Sequence, residues 1–173
     1  MGDIWVMEAD GGSPVNLTPD PLPGITDEER PAWSPDGHRI ACASTASGTR
    51  NIWTMAADGT DKRQVTAAPG ADTEPAWSPD GRRIAFRRTR PGLGSDLMIV
   101  GAGGGAVLQL PLQRDERAPA WSPGGGLLAF AVYPGAGGSP QIYTMTPVGA
   151  ELVLRTSDVG WNGGSQPAWI RRL

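Results

Sequence analysis

One short phrase recurs four times in the chain: Pro31-Ala32-Trp33-Ser34-Pro35-Asp36-Gly37, Pro75 to Gly81, Pro119-Ala120-Trp121-Ser122-Pro123-Gly124-Gly125, and Pro167-Ala168-Trp169-Ile170. From Trp33 to Trp77 to Trp121 to Trp169 the steps are 44, 44 and 48 residues. A four-stranded propeller blade repeats at about this period, and each unit buries its apolar faces only against its neighbours. The repeat therefore predicts an all-β chain, a β-propeller of four-stranded antiparallel blades.

Each unit carries the same order of signals. After the phrase come Arg39 to Ala43, Arg83 to Arg87 and Leu127 to Ala131, which alternate with period two and read as second strands. Pro-Asp-Gly supplies a fixed φ, a capping side chain and a permissive glycine, so strands one and two form a hairpin. Asn51 to Met55, Asp96 to Val100 and Gln141 to Met145 are apolar on both faces, as a strand covered on both sides must be. A turn such as Ala57-Asp58-Gly59-Thr60 then leads to an outermost strand, Arg63 to Thr66 or Leu152 to Arg155. The blades read as 31–66, 75–110 and 119–156.

At the ends the phase shifts. Asp3 to Met7 and Val15 to Thr18 read as strands three and four of a blade whose first strand is Pro167 to Ile170. The chain is thus one domain, or part of a larger propeller, with three whole blades and a split fourth, 3–18 with 167–173. The split blade lacks a second strand, and an unpaired edge at Ile4 to Met7 invites another chain. One expectation is a homo-oligomer that completes the blade by strand exchange between copies, two chains then making eight blades.

Composition narrows the partners. A formal charge of −3 gives no electrostatic footprint for nucleic acid. A single cysteine, Cys42, excludes an internal disulfide. No apolar run reaches membrane-spanning length, so membrane insertion is not expected, and the start, Met1 to Trp5, lacks the basic and apolar regions of a secretory signal.

Candidate sites lie just before each phrase. Asp27 to Arg30, Asp72 to Glu74 and Asp115 to Arg117 read as loops entering the innermost strands at one mouth of the central channel. There Asp27, Glu29, Asp72, Glu74, Asp115 and Glu116 could bind a ligand, or ring a calcium ion, which favours several oxygen ligands. The competing reading is a solvated loop neutralised by Arg30 and Arg117, with no cofactor. Trp33, Trp77, Trp121 and Trp169 could stack a ligand ring, but an aromatic fixed in every repeat is what blade-to-blade packing needs. Asp36 and Asp80 read as caps of their own hairpin turns. Arg87 replaces an alanine of the second strand and must either pair with a carboxylate or emerge at an exposed face. With Arg88 and Arg90 it marks either an anionic-partner site or a solvated rim.

Catalytic signals are absent from the sequence. His38, the only histidine, follows a hairpin turn, and no serine stands in a Gly-x-Ser-x-Gly context. Cys42 falls in a strand expected to be buried, where a thiol is inert. The expectation is a non-enzymatic protein.

The phrase "PAWSPDG", followed by "RIA" and then "NIWTMAADGT", resembles the TolB-type (WD-like) propeller repeat over nearly the whole chain. The resemblance implies a propeller, usually six-bladed, acting as a protein- or peptide-binding scaffold, periplasmic or extracellular. It also implies an alternative, the gating propeller of a larger prolyl-oligopeptidase-like (S9) hydrolase. Gly124 stands in place of the turn aspartate, Gly101 to Gly105 replaces the Ala-Asp-Gly turn, and the fourth copy lacks Ser-Pro-Asp-Gly, so the chain departs from the pattern at these places.

Overall fold

The computed structural model describes residues 2–19, 26–110, 112, 115–134, 138–156, 167 and 169. Among these there is no helix. β1 (Trp5–Val6) pairs with β2 (Val15–Asn16), and three four-stranded sheets follow. The first holds β3 (Glu28–Trp33), β4 (Arg39–Ser44), β5 (Asn51–Ala56) and β6 (Arg63–Gln64). The second holds β7 (Ala71–Trp77), β8 (Arg83–Arg90), β9 (Gly94–Gly101) and β10 (Leu108–Gln109). The third holds β11 (Asp115–Trp121), β12 (Leu128–Tyr133), β13 (Gln141–Met145) and β14 (Val153–Leu154). Every sheet runs in chain order with antiparallel neighbours, the pattern of propeller blades.

The hairpin between strands one and two is built by its own side chains. Ser34 Oγ donates to Asp36 Oδ1 at 2.6 Å, and the His38 amide donates to the same oxygen at 3.0 Å. Gly37 takes φ 73°, a left-handed conformation that costs glycine nothing. Ser78, Asp80 and Gly81 repeat the arrangement, with 2.6 Å from Ser78 Oγ to Asp80 Oδ1. In the third hairpin Gly124 leaves only the serine half: the Leu127 amide donates to Ser122 Oγ at 3.0 Å. The outermost ladders are two residues long, yet a threonine just beyond them ties the strand down. Thr18, Thr66 and Thr156 accept through Oγ1 from the amides of Ile4, Ile52 and Ile142 at 2.8, 2.9 and 3.0 Å.

Apolar burial lies between sheets. Ile4 and Leu17 meet Ile40, Cys42 and Met55 of the first blade. Ala41, Ile52 and Val65 meet Ile84, Phe86, Met98 and Val100 of the second. Leu97, Ile99 and Leu110 meet Trp121, Leu128, Phe130 and Met145 of the third. Because alternate residues of one strand face opposite neighbours, each blade has a preceding-blade face and a following-blade face.

The first strands differ from expectation. They begin at Glu28, Ala71 and Asp115, ahead of the 31, 75 and 119 read from the phrase. The acidic segments expected as loops are strand, because they pair across to the second strand: Glu28 with Ser44, Asp72 with Arg88, Glu116 with Val132. A β-bulge then interrupts each ladder, between Glu29 and Ala32, Thr73 and Ala76, and Arg117 and Ala120. Of the split blade, β1 and β2 form a sheet of their own and Pro167 and Trp169 are described; the remainder of 167–173 lies outside the described residues, as does part of the loop from Tyr133 to Pro140.

Candidate binding groove

The bulges position a concave surface that several repeats share. In each, the residue before proline adopts positive φ: Arg30 at 56°, Glu74 at 57° and Ala118 at 52°. Non-glycine residues rarely occupy this region, and three in register mark a built feature. The proline that follows has no N–H to lose from the interrupted ladder, so the bulge leaves no donor stranded there. The dipeptides Arg30-Pro31, Glu74-Pro75 and Ala118-Pro119 converge with Pro167 on a groove of about 330 Å³. Its two charges differ in state. Glu74 accepts from the Ala118 amide at 2.6 Å and lies 3.6 Å from Arg87. Arg30 is exposed, and among the described residues its guanidinium has no hydrogen-bond or ion-pair partner.

Of the six carboxylates expected at the channel mouth, Glu74 alone lines this groove. Asp72 and Glu116 are fully buried at the starts of their strands. Asp72 receives both Nε and Nη2 of Arg88 at 2.6 and 2.7 Å, a bidentate pair. Asp27 accepts from the Gly2 amide at 2.7 Å and pairs with Arg50, whose Nε also lies 3.5 Å from Glu29. The bond from the Gly2 amide leads in holding the Asp27 carboxyl below the usual range, and the Arg50 charge adds to it against the opposing cost of burial. Asp115 is bonded by Arg117 Nε at 3.1 Å and approached by Arg87 at 3.7 Å; the Arg117 bond leads in holding its carboxyl low. Asp27, Glu29, Asp72, Glu74 and Asp115 are thus distributed over arginines rather than gathered in a ring. Among the described residues no group of three or more His, Cys, Asp or Glu is disposed to hold a metal ion.

The arginines follow the same logic. Arg87 bonds Ser95 Oγ through Nε and Nη2 at 2.9 and 2.7 Å and sits between Glu74 and Asp115, bridging the second and third blades. Arg88 pairs with Asp72 and Arg90 with Asp96. The side chains that read as a candidate anionic-partner patch are therefore neutralised by carboxylates of the chain itself. Sequence reasoning gave a carboxylate partner as one alternative for Arg87 and could not name the partners, because each pair joins residues of different strands.

The phrase tryptophans join neighbouring blades. Trp77, Trp121 and Trp169 each donate Nε1 to the alanine carbonyl of the preceding phrase, Ala32, Ala76 and Ala120, at 3.1, 3.0 and 3.1 Å. The Arg83 guanidinium also stacks 4.8 Å over the Trp121 ring. Trp33 has no such acceptor among the described residues and is 50% exposed. His38 is exposed on its turn, and burial pushes the Cys42 thiol up to about 12, so the thiol is not activated at neutral pH.

Residues 23–117 match the TolB beta propeller domain. Among solved structures the chain is similar to a protein described as a TolB from Agrobacterium tumefaciens, 24% identical over 88% of this chain and 55% of that one, with a TM-score of 0.74. It is similar to TolB from Acinetobacter baumannii at 21% identity over 94% of this chain and 38% of that one, TM-score 0.71. Its likeness to a prolyl endopeptidase is 18% over 88% of this chain and 25% of that one, TM-score 0.63. A comparison with curated protein sequences finds no match. The chain spans about half the length of the first TolB structure and less of the others. At these identities the structural likeness carries the fold alone. The family match covers more than half of the residues, and the chain belongs to the TolB beta propeller domain family.

Proposed function

We propose that the chain is a non-enzymatic binding scaffold that takes an extended peptide or protein segment, with an acidic side chain, into the groove of the X-Pro bulges. The observation that carries this reading is Arg30, a cation without a partner among the described residues, in a groove where Glu74 is already bonded. A carboxylate of the ligand completes that arrangement, and the proline faces offer the flat apolar contacts an extended chain uses. Rigid blades hold the groove open, so little ordering free energy is lost when a ligand enters. A periplasmic or extracellular location accords with this reading through the TolB likeness.

A second reading, the gating propeller of a larger hydrolase, draws on the likeness to the prolyl endopeptidase, of which the chain covers 25%. It differs in that the groove would admit substrate to a separate catalytic domain rather than retain a ligand.

Selection from a random displayed-peptide library tests the proposal. Enriched sequences are expected to share an acidic residue and to lose affinity for an Arg30→Glu variant by tenfold or more, about 1.4 kcal/mol. Enrichment of sequences that bind the variant equally well would remove the groove from the account.

A further inference from the structure

Glu74 shows how a bulge of this groove binds a carboxylate. Its Oε2 accepts from the Ala118 amide of the next blade at 2.6 Å, 44 residues on, and its Oε1 lies 3.6 Å from Arg87 Nη1. A backbone amide with a guanidinium beside it makes a charge-assisted seat for an anion, and here the chain fills that seat with its own side chain.

The bulge one blade earlier repeats the backbone and changes the side chain. Glu74 and Ala118 have matching φ, 57° and 52°, each before a proline in a bulge at the same place of its ladder. The first and second blades also stand to each other as the second and third do: Trp77 Nε1 reaches the Ala32 carbonyl at 3.1 Å, and Trp121 Nε1 reaches that of Ala76 at 3.0 Å. Position 30 is therefore to the Glu74 amide what position 74 is to the Ala118 amide. It holds arginine, which only donates and cannot accept from that amide. Among the described residues no side chain accepts from the Glu74 amide, and the Arg30 guanidinium in the same groove has no partner. Arg87 is committed to Ser95, Glu74 and Asp115, so the described lining offers a ligand one positive charge, and the Glu74 carboxylate opposes a second negative one.

We infer that the acidic group taken by the X-Pro groove is a carboxylate seated between the Arg30 guanidinium and the Glu74 amide, and that this seat rejects a phosphoryl dianion. The peptide carrying the group is that of the groove reading, on which this assignment rests; the seat itself belongs to the first two blades. Glu74 serves twice, its amide receiving the ligand and its carboxylate filling the neighbouring seat at Ala118.

Acetate is the probe, titrated into the isotope-labelled chain at constant pH and ionic strength and followed by amide spectra, with inorganic phosphate as the comparison. The Glu74 amide proton is expected to move downfield saturably with acetate while the Ala118 amide stays in place, and phosphate is expected to bind about tenfold more weakly or less. Arg30→Gln should weaken the acetate response by about tenfold. In Glu74→Ala, which keeps its own backbone amide, the Ala118 amide should become responsive as well. A Glu74 amide that acetate leaves in place, a shift indifferent to Arg30→Gln, or phosphate bound as tightly as acetate overturns the assignment. Selected peptides that need Arg30 yet leave the Glu74 amide unmoved overturn the seat and leave the groove reading standing. Acetate seated as described in a chain for which the library yields no peptide supports the seat and removes the peptide scaffold.

Discussion

Trp77 donates its indole N–H to the Ala32 carbonyl across 3.1 Å, joining two blades whose first strands share no ladder. Replacing the indole by phenyl keeps most of the ring and deletes the donor, leaving the carbonyl of Ala32 without it. Trp77→Phe is expected to lower unfolding free energy by about 1.5 kcal/mol. Trp33→Phe should stay within about 0.5 kcal/mol, because that indole has no acceptor among the described residues. Urea unfolding of both variants checks the contrast, and equal losses would mean the bond contributes nothing.

The hairpin caps make a pH prediction. Asp36 and Asp80 have carboxyls held below their usual range, first by the hydroxyls of Ser34 and Ser78 and then by the amides of His38 and Arg82. A carboxyl depressed in the folded state stabilises above its unfolded pKa, about 4, and this contribution is lost as pH falls through the lower folded value. Stability should therefore decline below about pH 4, and less steeply in the Asp36→Asn, Asp80→Asn double variant. Identical acid profiles would contradict the capping role.

The third hairpin supplies the converse. A Cβ at Gly124 meets nothing within 4 Å, and the backbone there is not left-handed. Gly124→Asp restores the serine–aspartate cap and reduces the freedom of the unfolded chain. It should stabilise by about 0.5–1 kcal/mol, read as a raised urea midpoint with unchanged slope.

Asp72 and Arg88 form the most buried ion pair among the described residues, with side chains 0% and 13% exposed. Asp72→Asn strands a guanidinium and is expected to cost about 3 kcal/mol, whereas Asp72→Leu with Arg88→Met should recover most of that loss. If the double variant is no better than the single, the pair contributes through something other than neutralisation.

Cys42, with its thiol pushed up to about 12 in a buried strand, should resist a disulfide reagent at pH 8 and react on unfolding. Labelling in native buffer at the rate of a free thiol would place that strand at the surface.

The repeat made the blades legible, because the Pro-Ala-Trp phrase, found four times, and the alternating apolar segment, found three times, are local signals. The first strands were read three or four residues short for an equally local reason. Glu28-Glu29-Arg30-Pro31 has the charge and proline of a loop, and only its cross-strand register with Ala43 and Ser44 makes it strand. Carboxylates that looked like a ring face partners no spacing reveals: Asp72 meets Arg88, sixteen residues on. The groove was hidden because its defining feature is backbone, the positive φ of Arg30, Glu74 and Ala118. Its one trace in the sequence is the residue before the phrase proline, which varies in chemistry while keeping one conformation.

The groove itself is tested most directly by a backbone chemical-shift map of the labelled chain on addition of a peptide selected from the library. The largest changes are expected at Arg30, Glu74 and Ala118 and at the prolines beside them, with loops 45–50 and 91–93 unmoved. Changes confined to those loops, with the X-Pro bulges silent, would contradict the assignment of the groove as the binding surface.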